Sequence, residues 1–119
     1  MGSNVLLMAK EALISLDSES LVSLYSNDFI FEDTSYGEVL TDKEALRVYF
    51  DRLFSLPDVG FSDVTFFSCG DRGAGEWIWS GKSLQSGSDF TIRGASIFVL
   101  EKNRIKSETL FYDPRPAYR

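Results

Sequence analysis

Asp33 stands beside Glu32 at the end of a short apolar run, Phe29-Ile30-Phe31, and is followed by the turn-forming residues Thr34 to Gly37. A strand that delivers a carboxylate to an aromatic-lined interior disfavours its charged form. That raises the pKa toward the range of a general base. An aspartate in this position can equally cap its own turn. On the residues alone both uses stay open. The chain has no His and one Cys, Cys69, which removes His-based triads, His-ligated metals and Cys-rich zinc sites. Proton transfer would fall to Asp, Glu, Tyr or Lys. No glycine-rich phosphate cradle occurs, so no metal, nucleotide or other cofactor is expected.

Other residues could complete a site. Arg93 shares one strand face with Thr91, Ala95, Ile97 and Val99, opposite Phe90, Ile92, Ser96 and Phe98. Facing inward, it could pair with Asp33 or Asp113, or clamp an anion by bidentate hydrogen bonds; facing outward, it lies in solvent or at an interface. Asp113 could act as an acid or base, or start the turn at Pro114. Trp77 and Trp79 project from one face of their strand, as a ligand wall or as packing. Tyr36, Tyr49 and Tyr112 could hydrogen-bond a ligand or simply pack, and Cys69 is expected to be a buried filler.

These side chains need a scaffold, and 119 residues allow one domain over 1–119. Residues 1–4 are expected to be disordered or left over from cloning. Val5 to Leu16 has helical spacing, and Asp17 caps a second helix burying Leu21, Val22, Leu24 and Tyr25. Ser26-Asn27-Asp28 ends it and the first strand begins. Thr41 to Glu44 reads as a capping box opening a third helix, which runs to Pro57. The period then becomes alternating over 61–69, 74–84, 90–101 and 104–112, four strands in an antiparallel meander. A net charge of −6 without a Lys/Arg run argues against nucleic acid and anionic membrane. No stretch approaches the roughly 20 apolar residues of a membrane span, and a cytoplasmic location is expected.

This succession resembles the SnoaL-like group of the superfamily named after nuclear transport factor two, whose relatives include ketosteroid isomerase, limonene epoxide hydrolase and scytalone dehydratase. The stretches that carry the likeness are Leu24 to Asp28 entering Phe31-Glu32-Asp33, Gly37 before the capped helix, Arg93-Gly94-Ala95-Ser96, and Arg104-Ile105 leading to Tyr112-Asp113. The resemblance implies an α+β cone, with three N-terminal helices packed in the concave face of a bent, mainly antiparallel sheet, and a pocket at the open end. It implies a homodimer through the sheet's outer face. It also makes Asp33 the proton-shuttling carboxylate, with Arg93, Asp113 or a tyrosine as polarising group. The positions matching the isomerase's oxyanion donors hold Ala9 and Ala95, so true ketosteroid isomerase activity is not expected. The expected function is cofactor-independent isomerisation, cyclisation, dehydration or water addition on a small hydrophobic or weakly anionic molecule. The alternative is a non-catalytic ligand-binding or dimerisation module of the same fold.

Overall fold

The computed structural model describes residues 5–118, so the expectation for residues 1–4 lies outside the described residues. Helix α1 (Val5–Ile14) and the short α2 (Ser18–Val22) precede strand β1 (Tyr25–Asp33), and β2 (Glu38–Leu40) leads to α3 (Lys43–Phe54). Strands β3 (Gly60–Cys69), β4 (Arg72–Lys82), β5 (Asp89–Glu101) and β6 (Arg104–Phe111) follow, and a 3-10 turn, Arg115–Tyr118, ends the described chain. The fold is α+β around one six-stranded mixed sheet in the order β2-β1-β6-β5-β4-β3.

The meander is present, but it is only four of the six strands. β1 joins it in parallel with β6, and β2 adds an antiparallel edge through Phe31↔Leu40 and Asp33↔Glu38. Tyr25, expected on the second helix, instead opens β1 opposite Ile105, and is fully buried there. A β-strand position lets its ring meet Phe29 and Phe31 edge-on at 5.5 and 6.4 Å. The expected break at Ser26-Asn27-Asp28 is absorbed as an irregularity within the strand.

Helix starts follow the capping chemistry, with one shift. Asp17 accepts from the Ser20 amide as expected. For α3 the cap is Asp42, in extended backbone, accepting from the Ala45 amide at 3.0 Å rather than Thr41 accepting from Glu44. Thr and Asp are both good caps, and adjacent candidates are separated only by where the backbone turns. Cys69 is exposed, not a filler, because it ends the sheet's outermost strand beside a hairpin turn.

The sheet buries one face. Along β4 and β5 the inward positions are Trp77, Trp79, Phe90, Ile92, Ser96 and Phe98, and α1 and α3 bring Leu6, Ala9, Leu13, Leu46, Tyr49 and Phe50 into the same core. Bulges interrupt the ladders at Ser62/Thr65, where Asp63 has a φ of 49°, and at Val99/Leu100. Such insertions bend strands and re-aim side chains.

Candidate functional site

The end of β1 places Asp33 inside, in line with Phe29 and Phe31 on the buried face. Its side chain accepts three hydrogen bonds. Oδ1 takes the Ser35 amide at 3.0 Å, closing the turn, while Oδ2 takes the hydroxyls of Tyr49 at 2.7 Å and Tyr112 at 2.6 Å. Oδ1 thus caps the turn, the structural use expected of Asp33, while Oδ2 is held by the two phenols. Tyr49 comes from the middle of α3, and Tyr112 follows the last residue of β6. Burial, above all, lifts both phenols well beyond their ordinary range, and the adjoining carboxylate adds to it. Both remain protonated donors, and a buried carboxylate needs such partners.

The group stands between two spaces. Outside it opens a bowl of about 900 Å³, which Asp33, Tyr36, Tyr49, Arg52, Tyr112 and Arg115 help to line. Inside lies an apolar chamber of about 40 Å³ walled by Phe61, Trp77, Trp79 and Leu110, with Tyr49, Leu53 and Tyr112 common to both spaces. A bowl of that size accepts a small organic molecule; the chamber takes a few water-sized atoms.

Trp77 and Trp79 thus wall the chamber, edge-on to Tyr112 at 5.6 and 6.2 Å. Trp77 donates Nε1–H to Ser96 Oγ at 2.9 Å. Its ring covers Gly94 across the strand pair, where a Cβ would lie 2.2 Å from the ring. Gly94→Ala is accordingly expected to displace Trp77, break its bond to Ser96 and destabilise the protein by about 2 kcal/mol. Urea unfolding followed by Trp fluorescence reads both effects; an unchanged midpoint and spectrum would show the ring free to move.

The remaining candidates divide between the sheet's outer face and the surroundings of the bowl. Arg93 is on the outer face, its side chain 74% exposed and paired with Glu76 at 3.1 Å. The strand has the two faces read from the sequence, and its Arg face is the outward one. Asp113 is held by the Arg115 guanidinium and accepts the Arg115 amide, so it starts a turn beside the bowl. Tyr36 is half exposed and meets Tyr118 edge-on at 6.4 Å on the bowl's rim.

Glu108 was not anticipated. It is buried on β6, accepts the Tyr25 hydroxyl and a bond from Ser96, and lines the chamber. Burial pushes its carboxyl up to about 7, against the two hydrogen bonds that favour the charge. Trp79 Nε1, also buried in the chamber wall, has no hydrogen-bond partner among the described residues. Among those residues no group of three or more His, Cys, Asp or Glu is placed to hold a metal, and no helix is long and apolar enough to cross a membrane.

The family model for the SnoaL-like domain matches residues 8–108. No curated protein matches the chain significantly. Among solved structures, a nuclear transport factor two-like protein from Burkholderia thailandensis superposes with a TM-score of 0.84 at 17% identity, over 98% of this chain and 95% of that one. A Catenulispora acidiphila protein with a ketosteroid isomerase-like fold, in complex with trimethylamine, gives 0.83 at 16%, over 98% and 91%. A Pseudomonas putida protein described as a putative polyketide cyclase gives 0.80 at 16%, over 96% and 92%. At these identities the likeness is one of fold.

Proposed function

This chain belongs to the SnoaL-like domain family, and from that premise we propose that it binds a small, largely apolar carbonyl compound in the bowl and moves a proton on it, with Asp33 as the base. One observation carries the reading: a fully buried carboxylate held by two phenols on the boundary between a ligand-sized bowl and an apolar chamber. Many buried carboxylates only brace a fold. Few sit where a bound molecule would displace one of their partners.

Tyr112 is that partner, being partly exposed where Tyr49 is buried. An entering carbonyl oxygen accepts the hydrogen bond that the Tyr112 hydroxyl had donated to Asp33. Oδ2 loses that donor and gains a free lone pair beside the ligand. Asp33 then removes a proton from the adjacent carbon, the C–H electron pair becomes the C=C bond as the carbonyl π pair moves onto oxygen, and Tyr112 stabilises the resulting enolate. The protonated Asp33 returns its proton to the same carbon or a conjugated one, which covers isomerisation and the enolate step of a cyclisation. Tyr112 supplies the donor that Ala9 and Ala95 cannot, while Tyr49 keeps hold of Asp33. Arg52 and Arg115 at the rim suit a weakly anionic group on the ligand.

The test uses 2-tetralone, a bicyclic ketone with acidic α-hydrogens, incubated with the protein in D2O and followed by NMR. Exchange above the buffer rate supports the reading; binding without exchange leaves a ligand-binding module. That second reading is favoured by one fact, the three donors already engaged by Asp33. A homodimer is proposed through the outer sheet face, where Ile97 and Phe111 are about half exposed; a monomer in sedimentation would overturn it.

A further inference from the structure

The bowl beside Asp33 takes part of its wall from one stripe of α3 and the residues that follow it. Tyr49, Arg52, Leu53 and Leu56 recur at helical spacing, and all four line it. Tyr49 sends its hydroxyl to Asp33, and Leu53 and Leu56 supply apolar surface. Arg52 lies nearly one turn beyond Tyr49, about 4.5 Å further along the helix axis. Its backbone is fixed, because its carbonyl accepts both the amide and the hydroxyl of Ser55, at 3.3 and 2.8 Å. The Lys82 amide donates to the Pro57 carbonyl at 2.9 Å, which ties the β4–β5 turn and its exposed Leu84 to the same end of α3.

Two arginines line the bowl, and they differ in what holds them. Arg115 is engaged by both Asp113 oxygens. The Arg52 guanidinium makes no ion pair, hydrogen bond or ring contact with any described residue, although Asp33 and Glu38 line the same bowl. A positive charge in the last turn complements the helix dipole, and that use leaves all its N–H donors available to a ligand.

We propose that Arg52 determines the specificity of the bowl by taking a carboxylate of the ligand in a bidentate pair. This deepens the function proposed above and rests on it: the substrate class becomes an apolar keto acid. Its carbonyl lies at Tyr112 and Asp33, its hydrocarbon body against Leu53 and Leu56, and its carboxylate at Arg52. The bowl of about 900 Å³ holds such a molecule whole, and no part of it enters the inner chamber. Asp33, Glu38 and the net charge of −6 all repel an anion. A ligand carboxylate is therefore accepted only where Arg52 offsets them, and without Arg52 the preference passes to a neutral ligand.

The experiment titrates 2-tetralone-6-carboxylate and its 7-carboxylate isomer, each against the carboxamide of the same shape, by tryptophan fluorescence at neutral pH and low salt. At least one carboxylate is expected to bind about fivefold tighter than its carboxamide, the worth of a partly solvated bidentate pair. Arg52→Met, which keeps the apolar stem, should make that carboxylate the weaker ligand, and Arg52→Lys should restore part of the preference. Equal binding of each carboxylate and its carboxamide overturns the subsite while leaving the Asp33 reading to the 2-tetralone exchange. A preference that survives Arg52→Met, or that only Arg115→Met removes, overturns it too. So does a fall of both affinities together in Arg52→Met with their ratio unchanged, which assigns Arg52 to the helix end alone. A carboxylate preference that depends on Arg52, without exchange of any ketone, supports the subsite and overturns the base. Binding of no ketone overturns both.

Discussion

Asp33→Asn is expected to slow the exchange of 2-tetralone α-hydrogens by at least about a hundredfold, the low end of what a positioned base contributes. The substitution changes one atom and removes the proton acceptor. An asparagine oxygen still takes the Ser35 amide, but its NH2 has no lone pair for the two phenols that now converge on Oδ2. One tyrosine must then turn and accept from the amide, or donate to the other. The expected loss of stability is about 1 kcal/mol. Asp33→Ala removes the shared acceptor of the buried Tyr49 hydroxyl and the partly buried Tyr112 hydroxyl and is expected to lose about 3 kcal/mol. Urea unfolding and NMR exchange on both variants separate proton carrier from brace. A folded but inactive Asn variant identifies a base, while an Asn variant as active as the wild type reduces Asp33 to a hub that orders the strand end.

The second large effect is one of pH on stability, and it belongs to Glu108. Its carboxyl is raised from 4.5 to about 7 in the folded protein, with burial as the largest cause. Below the unfolded value both states hold the proton and the folded state carries no penalty. As pH rises through about 7 the folded state must give the proton up from a buried position, so the stability fully present below about 4.5 is lost. A shift of this size corresponds to about 3 kcal/mol. Glu108→Gln has no such proton to lose. Its stability relative to wild type should therefore climb by that amount between pH 4.5 and 8, whatever other groups do in common. Asp17 and Asp28, both lowered by their hydrogen bonds, lose their contribution only as pH falls below the carboxylate range, and they do so equally in the two proteins. Urea midpoints across the range read the difference; parallel curves would show Glu108 to be ionised without penalty.

Much of the scaffold could be read from the chain itself. Helical spacing marked the buried side of α1 and α3, and strict alternation marked both faces of β4 and β5, with Trp77 and Trp79 together and Arg93 opposite the aromatic positions. These are local properties: period and cap chemistry act over a few residues, and they survive any tertiary arrangement. The same local logic put Asp33 at the mouth of its strand and gave it its own turn to cap.

What the chain could not disclose is which residues meet across it. Tyr49 and Tyr112 reach Asp33 from 16 and 79 residues away, and neither carries a mark that sets it apart from a packing tyrosine. Their meeting depends on β1 lying parallel to β6, a pairing that no pattern within either strand specifies. Glu108 shows the limit most sharply. In the polar run Lys106-Ser107-Glu108-Thr109 a glutamate reads as solvent-facing, and alternation from the buried Ile105 puts it outside. The bulge opposite Val99 and Leu100 inserts one residue into β6, so that Ile105 and Glu108 both turn inward. A single-residue slip reverses every side chain beyond it. The sequence thus determined the three main helical segments, the four-stranded meander and the faces of β4 and β5. The tertiary structure decided the second carboxyl and the tyrosines around the first, because only the assembled sheet sets registers between strands distant in the chain.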